Sequence, residues 1–263
     1  MPYFSLIMPT KNRAHLISKS IESVINQTLN DWELIIIDDH STDNTMEVVS
    51  QLKNPKIKYS RLKSGTGPAA ARDFGIKKAK GKIIVIADSD DINYPDRLYF
   101  IYEYFIKNPE VDVVYGDSEV LKTKGDIYPQ PTSSFNGELL KKYNFIVNPA
   151  SSYKRESYLK TAGYDHKLKT SEDYDLWLSF YEKRFKFGFI DKALVLRVLH
   201  KDRITNLTDY KKRKKNLAYV RKKHHLEVPN PKDVKKIVSI KLWKYISAQR
   251  GLNFWFNVPL RSV

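Results

Sequence analysis

The 263-residue sequence has no cysteine, few glycines and no apolar run long enough to cross a membrane. The lack of cysteine excludes disulfides, thiolate zinc sites, iron–sulfur clusters and cysteine nucleophiles, and it agrees with a reducing compartment. A membrane helix needs ~18 consecutive apolar residues, and the first residues show no secretory signal pattern. With 41% hydrophobic residues the chain can nevertheless bury a core. We therefore expect a globular, cytoplasmic protein.

Positive charge is concentrated in the last quarter of the sequence. The formal net charge is +16. Residues 1–200 hold 29 Lys and Arg against 26 Asp and Glu, whereas residues 201–263 hold 17 against 4. A large positive charge is typical of proteins that meet nucleic acid or an anionic surface. Its distribution confines that interpretation to residues 201–263.

The first 115 residues alternate between strand and helix patterns. β-Branched runs predict five strands, at residues 4–8, 33–38, 56–60, 82–87 and 111–115. Helical spacing and initial prolines predict helices between them, over residues 14–27, 43–52, 68–79 and 95–106. Such alternation places helices on both faces of a mostly parallel sheet. We predict a Rossmann-like, doubly wound α/β fold.

The pattern loosens after residue 115 and then recovers. Residues 172–185 predict a helix, and residues 188–199 predict one or two strands. We therefore divide the chain into 1–115, a smaller half over 116–200 that belongs to the same domain, and a basic, aromatic extension over 201–263.

Three polar stretches follow apolar runs: "PTKNR" (9–13), "DDHSTDNT" (38–45) and "DSDD" (88–91). In open α/β sheets ligands bind beyond the carboxyl ends of the strands, where these loops should gather. Capping of the next helix explains most of these side chains, such as Ser41 or Thr42. It explains at most one of the carboxylates Asp88, Asp90 and Asp91, which repel one another unless a cation neutralises them.

A divalent cation at 88–91 is the simplest explanation of that acidic cluster. The spacing does not fit a calcium-binding EF-hand loop, which requires glycine at its sixth position. A few carboxylate oxygens with open positions suit Mg²⁺ or Mn²⁺ carrying a diphosphate. His200 follows the last predicted strand, and it is either a further ligand or a structural histidine.

For two further sets of residues, a structural role remains an alternative to a functional one. Glu172 and Asp173 begin a helix, where the helix dipole favours acids, and the residues alone do not choose between them as an acid or base. Asp175 is interpreted as part of a solvated face. Arg72, on the helix over 68–79, is either a surface residue or a nucleotide contact.

Taken together, "SLIMPTKNRAHLISKSIESVINQTLNDWELIIIDDHSTDNT", "GPAAARDFGIKKAKGKIIVIADSDDINYPDRL" and "GYDHKLKTSEDYDLWLSF" resemble the family 2 inverting glycosyltransferases of GT-A fold. The resemblance covers residues 3–200 and preserves the order and spacing of the family's motifs. It implies a nucleotide-sugar-binding half over 1–115 and an acceptor-binding, catalytic half over 116–200.

The resemblance also implies a role for each matching residue. Asp90 corresponds to the metal ligand of the family's D-x-D element, Asp88 lies near both ribose and metal, and His200 completes the metal shell. Asp173 corresponds to the catalytic base, preceded by Glu172. The nucleotide of a UDP-sugar or similar donor is expected to contact these positions: Pro9, Thr10, Asn12, Asp38, Asp39 and Arg72.

The implied reaction is metal-dependent transfer of a sugar to a hydroxyl of a glycan or lipid-linked glycan, with inversion. A glycosyl-enzyme formed on a nucleophilic carboxylate is the second mechanism. The alternatives to this enzyme are a GT-A-like protein that binds nucleotide sugars without turnover and a nucleotidyltransferase. "PTKNRAHL" lacks the glycines of a nucleotidyltransferase loop.

Residues 201–263 leave three interpretations open. Lysine clusters with tryptophan and tyrosine predict peripheral binding to an anionic membrane surface on its cytoplasmic side. Binding of nucleic acid is less favoured, because the sequence reveals no shaped groove. A helical hairpin packed on the core, with buried aromatic residues and solvated lysines, is the third interpretation.

Overall fold

The computed structural model describes residues 1–122, 125–203 and 208–229. Nine strands form one sheet in the order β3-β2-β1-β4-β8-β6-β9-β5, with β7 paired to β6. The strands are β1 (Phe4–Thr10), β2 (Trp32–Asp38), β3 (Ile57–Arg61), β4 (Ile83–Ile86), β5 (Asp91–Asn93), β6 (Val113–Leu121), β7 (Ile127–Gln130), β8 (Ser151–Lys154) and β9 (Phe187–Val198).

Eight helices connect or follow these strands. They are α1 (Ile17–Ile25), α2 (Thr45–Ser50), α3 (Pro68–Lys78), α4 (Arg97–Lys107), α5 (Gly137–Lys142), α6 (Arg155–Leu159), α7 (Glu172–Glu182) and α8 (Tyr210–Lys223), as counted over the described ranges. The four helices predicted in the first half are present with slightly shorter bounds, and the helix predicted over 172–185 corresponds to α7.

The sheet combines a parallel half with a mixed half. β3, β2, β1 and β4 run parallel, as β-α alternation predicts. β8 then pairs antiparallel with both β4 and β6, while β9 returns parallel to β6. Residues 116–200 therefore continue the sheet of residues 1–115, and the predicted boundary at residue 115 falls within β6.

Apolar side chains alternate between two cores, one on each face of the sheet. Ile7 and Ile86 point to the core beneath α3 and α7, whereas Leu6 and Met8 point to the core beneath α1 and α4. Because successive strand residues face opposite ways, strands covered by helices on both sides must be apolar throughout. The prediction of helices on both faces is confirmed.

Candidate active site

The acidic cluster forms where β4 ends and β5 begins. Carboxylate oxygens of Asp88, Asp90 and Asp91 lie within 4.8 Å of one another. β5 pairs antiparallel with β9, with Asp91 opposite Arg197. This pairing brings His200, which lies three residues beyond Arg197, to the cluster, and its Nε2 lies 2.9 Å from Asp90 Oδ2. The structure thus brings together the residues predicted to bind metal.

Arginines supply part of the charge that the cluster needs. Arg72 Nη2 donates to Asp88 Oδ1 at 2.9 Å. Arg13 Nε lies 3.6 Å from Asp90 Oδ2, and Arg197 Nε lies 3.9 Å from Asp91 Oδ2. From the sequence, a metal alone is expected to neutralise these carboxylates. These cations show that the protein itself offsets some of the repulsion.

The donor atoms nevertheless fit a divalent cation. Asp91 is buried, its Oδ1 accepts from the Val198 N–H at 3.1 Å, and its buried Oδ2 accepts no hydrogen bond from the described residues. Burial, together with Asp90 and Asp88, raises the pKa of Asp91 to about 7 against the opposing effect of Arg203 and Arg197. Clustered carboxylate oxygens with one imidazole are ligands that Mg²⁺ and Mn²⁺ accept.

Arg72 connects the acidic cluster to the start of α7. It is 5% exposed, so the interpretation of Arg72 as a surface residue is wrong. Its Nη1 donates to Glu172 Oε1 at 2.6 Å, while Nη2 contacts Asp88. Burial alone would lower the pKa of Arg72, but the charges of Asp88 and Glu172 raise it above the ordinary value. One guanidinium therefore joins two loops that are distant in sequence.

Asp173 differs from Glu172 in its partners. Its Oδ1 accepts from the Tyr174 N–H at 2.8 Å, and its Oδ2 accepts from the Asn144 amide at 3.3 Å. Burial and the charge of Glu172 raise the pKa of Asp173 to about 7, although Tyr174, Arg72 and Asn144 act in the opposite direction. Glu172 is committed to the guanidinium of Arg72, whereas the partners of Asp173 are neutral donors.

The residue before α7 has an unusual backbone. Ser171 precedes the helix with φ of 65°. This left-handed conformation is uncommon for residues other than glycine, asparagine and aspartate. It occurs immediately before the acidic pair, and it was not predicted from the sequence.

The ends of β1 and β2 hold the residues that were predicted to contact the nucleotide. Asp39 is buried and accepts from the N–H groups of Thr66 and Gly67, which connects β2 to the start of α3. Asn12 Oδ1 accepts from the Thr42 N–H at 2.8 Å. Pro9 and Thr10 end β1 beside them, and Thr10 Oγ1 is buried without a hydrogen-bond partner in the described structure.

Asp38 faces inward. It has no exposed surface, and its carboxylate accepts from the Ser41 N–H at 2.7 Å and from the Tyr59 hydroxyl. In this structure Asp38 therefore organises the loop after β2. Ser41 and Thr42 do not cap α2, whose first-turn Thr45 N–H instead donates to Asp43 Oδ1 at 3.1 Å.

Three residues of the site were not identified from the sequence. Arg13 lies within the quoted "PTKNR", so its position in that loop was an available signal. Asn144 comes from the irregular region, where no pattern marks it. Asp91 was noticed as part of the acidic cluster but was not assigned a ligand role.

The C-terminal end of helix α8 packs against α7. Asp175 is fully buried and contacts Lys223 Nζ at 2.8 Å and His224 Nε2 at 3.0 Å. The interpretation of Asp175 as part of a solvated face is therefore wrong. The described part of the basic extension contacts the core through these groups, but Tyr210 and Tyr219 on α8 are exposed, unlike the buried aromatic residues of the third interpretation. The hairpin of that interpretation stays a prediction, because residues 230–263 lie outside the described residues.

A family model for glycosyl transferase family 2 matches residues 5–161, more than half of the chain. The chain belongs to glycosyl transferase family 2. A glycosyltransferase of Methanocaldococcus jannaschii is 31% identical over 236 residues, covering 85% of this chain and 79% of the relative. The α7 residues Glu172 and Asp173 lie beyond the segment matched by the family model.

Two further relatives carry specific names. The Escherichia coli UDP-Glc:alpha-D-GlcNAc-diphosphoundecaprenol beta-1,3-glucosyltransferase WfgD is 33% identical over 66% of this chain and 68% of its own length. Chondroitin synthase of Pasteurella multocida is 32% identical over 81% of this chain. That alignment covers 22% of the synthase.

Solved glycosyltransferases share the fold. TarS 1–349 of S. aureus, in complex with UDP-GlcNAc, superposes with a TM-score of 0.70 at 20% identity, covering 97% of this chain and 75% of that one. A mannosyltransferase of Pyrobaculum calidifontis, in complex with GDP-Man and Mn²⁺, gives 0.67 at 16% identity, covering 96% and 77%. These likenesses confirm the predicted GT-A fold. Within the described residues, no helix of this family 2 glycosyltransferase has the length and apolarity to span a membrane.

Proposed function

We propose that this family 2 enzyme transfers a sugar from a UDP-sugar to a hydroxyl of a glycan or lipid-linked glycan, with inversion at the anomeric carbon. The observation that carries the proposal is the bridge formed by Arg72. It contacts Asp88 of the acidic cluster and Glu172 at the start of α7. Residues suited to a diphosphate and a residue suited to proton abstraction therefore border one site.

Asp173 is the proposed general base. It accepts the proton of the acceptor hydroxyl as that oxygen attacks the anomeric carbon, and the nucleoside diphosphate departs from the opposite side. A pKa of about 7 suits this role, because the carboxylate is ionised in part at neutral pH and is still basic enough to bind the proton. Glu172, which is paired with Arg72, holds the guanidinium in place.

Asp88, Asp90, Asp91 and His200 are the proposed ligands of a divalent cation. Such a cation, when bound, would neutralise charge on the diphosphate leaving group. The support for this assignment is the set of carboxylate oxygens within 4.8 Å of one another, together with the buried Asp91 Oδ2, which accepts no hydrogen bond within the part of the chain that the structure describes. The presence of Mn²⁺ in the P. calidifontis mannosyltransferase complex is consistent with it.

Pro9, Thr10, Asn12 and Asp39 are proposed to border the base and ribose of the donor. The preference for UDP is supported by the names of WfgD and of the TarS complex. The lipid-linked acceptor is supported by the diphosphoundecaprenol in the name of WfgD.

Thermal shift with UDP-, GDP-, dTDP- and CMP-sugars, each with Mn²⁺ or with EDTA, tests the donor site. A ligand present at about 100 times its Kd stabilises the fold by about 2.7 kcal/mol. We expect a UDP-sugar to raise the Tm with Mn²⁺ and not with EDTA. If no donor stabilises the protein, the proposed diphosphate site is wrong.

Turnover requires a second measurement. Release of UDP in the presence of an acceptor, with NMR of the anomeric proton of the product, separates transfer from binding alone. A product that retains the donor's configuration would contradict inversion and favour a glycosyl-enzyme. Binding without release would favour a non-catalytic nucleotide-sugar-binding protein.

A further inference from the structure

The outward face of α8 carries positive charge that no acidic side chain of the described residues pairs with. Besides Lys223, five exposed lysines lie on this helix: Lys211, Lys212, Lys214, Lys215 and Lys222. In the part of the chain that the structure describes, none of the five forms an ion pair, although the neighbouring Lys223 forms two. The side chain of Asp209, which precedes the helix, accepts from the Lys211 N–H and caps the helix. We call these five residues the lysine face.

Helix geometry spreads these five lysines over about 160° of the helix surface. At 3.6 residues per turn, Lys211, Lys215 and Lys222 fall within about 40° of one another around the helix axis. At a rise of about 1.5 Å per residue, these three lysines extend over about 16 Å along the helix. Val220 occupies the opposite side and is fully buried. The lysine face is therefore an elongated, convex array of charges rather than the lining of a groove.

The helix that carries this face is fixed to the catalytic half. Lys223 and His224 contact buried Asp175, and His224 Nδ1 also lies 2.7 Å from Glu182 Oε1. In the middle of α8, Asn216 Nδ2 donates to Thr170 Oγ1 at 2.9 Å. Thr170 lies two residues before Glu172, so the lysine face has a defined position beside the start of α7.

We propose that the lysine face docks on an anionic lipid bilayer. The surface of an anionic bilayer is a plane of negative charge, and a convex array of lysines can contact a plane. A nucleic-acid strand is instead bound in a groove, which a convex array does not provide. Lysine offers a compact point charge without the fork geometry of arginine, which suits attraction to a surface rather than recognition of one phosphate. Tyr210 and Tyr219, 46% and 38% exposed, add rings of the kind found at membrane interfaces.

Docking in this way would place the start of α7 close to the lipid surface. This consequence rests on the proposed function, because it matters only if the acceptor is lipid-linked. The hydroxyl to be glycosylated would then reach Asp173 from the membrane side. Binding to vesicles that contain no acceptor tests the surface independently of the reaction.

Co-sedimentation of the full chain with vesicles tests the proposal. One set contains about 30% phosphatidylglycerol in phosphatidylcholine and the other contains phosphatidylcholine alone, in about 0.1 M salt. We expect binding to the anionic vesicles only. Replacement of Lys211, Lys212, Lys214 and Lys215 by Gln should lower the partition coefficient at least tenfold.

A matched variant controls for net charge. Lys53, Lys80, Lys82 and Lys160 are exposed, lie on other parts of the protein and form no ion pair in the described structure. Replacing these four by Gln removes the same charge, and we expect a change of less than about threefold from the loss of long-range attraction. Equal Tm values and equal UDP-sugar binding would show that both variants are folded.

Three outcomes would overturn the proposal. The wild-type chain could ignore anionic vesicles, the α8 variant could bind them as well as wild type does, or the control variant could lose as much binding. If wild type ignores vesicles but its α8 lysines are required to bind a single-stranded oligonucleotide, the face recognises a soluble polyanion instead. A failed donor screen with intact vesicle binding would count against the proposed function alone.

Discussion

Asp173 accepts hydrogen bonds from neutral donors, and burial raises the pKa of its carboxyl to about 7. A general base acts in its ionised form, so we predict that kcat/KM falls as the pH decreases through about 7. With an ordinary aspartate the decrease would begin near pH 3.8. The measurement is kcat/KM as a function of pH, with an acceptor that can saturate the enzyme. A kcat/KM that stays constant between about pH 5 and pH 8 would contradict the role of Asp173 as general base.

Asp173→Asn should separate activity from stability. We expect turnover to fall by roughly 10²–10⁴-fold, the usual contribution of general-base help. A raised pKa in the folded state means that the stability contributed by the protonated form is lost as the pH rises through about 7. Above that pH the variant should therefore be at least as stable as wild type in urea. Asp191→Asn, at an exposed position of β9, is the control and should change neither property.

Arg72 holds two carboxylates, and its loss should be costly. Removing one partner of a buried ionic network leaves unpaired charge, which typically costs about 3–5 kcal/mol. We predict that Arg72→Met lowers the free energy of unfolding by an amount in that range, as measured by urea denaturation. Glu172→Gln in the same protein should recover part of the loss, because one unpaired carboxylate is then absent. Additive effects of the two substitutions would contradict the bridge.

Individual site residues differed in how far the sequence could identify them. The acidic cluster was identifiable because three carboxylates follow a buried strand, and His200 because it follows another. Arg72 kept two interpretations, since a helix pattern without a clear apolar face does not reveal which side is buried. Asn144 lies in an irregular segment, and its contact with Asp173 depends on tertiary packing that no local pattern encodes.

At the level of elements, α8 is held to α7 by a buried histidine. Burial on its own lowers the pKa of His224, but its hydrogen bonds to Asp175 and Glu182 outweigh this effect and raise the pKa above the ordinary 6.5. The stability that protonated His224 contributes is therefore present at pH values below 6.5 and is lost as the pH rises through the raised value. Lys223, the other cation facing Asp175, keeps its charge over this range because its pKa is also raised.

We predict that His224→Gln destabilises the protein most at low pH. A hydrogen bond to a charged group contributes about 1.5–3 kcal/mol, so the difference from wild type should be of that size near pH 6 and should shrink as the pH rises. Chemical denaturation over a pH series measures the difference. His225→Gln, at the exposed neighbouring position, is the matched control. If the difference in the free energy of unfolding does not depend on pH, His224 stabilises the protein by packing and not through its protonated form.

Elements with a continuous apolar pattern were predicted closely, whereas elements defined by their partners were not. β2 differs from its prediction by one residue because its strand is buried on both faces. β5 has only three residues, and its sequence, Asp-Ile-Asn, is atypical of strands. It forms because β9 offers an edge, and it is this pairing that brings His200 to Asp90. The acidic cluster and His200 could therefore be named as candidates from the sequence, but their arrangement could not.

For the whole molecule, the continuous sheet argues that the two halves unfold together. β8, of the second half, pairs with β4 and with the start of β6 in the first half, β6 itself crosses the boundary at residue 115, and each core contains residues from both halves. Trp32 lies in β2 and Trp177 in α7, so each half has its own buried fluorescent probe. Two single-tryptophan proteins test this: both carry Trp243→Phe and Trp255→Phe, and one adds Trp32→Phe while the other adds Trp177→Phe. We predict that each of the two proteins unfolds in one transition. Each substitution shifts stability by its own amount, so the test is that fluorescence and far-UV circular dichroism coincide within each protein. A fluorescence midpoint that differs from the circular dichroism midpoint would mean that the halves are separate folding units, and that the site between them can open without unfolding either half.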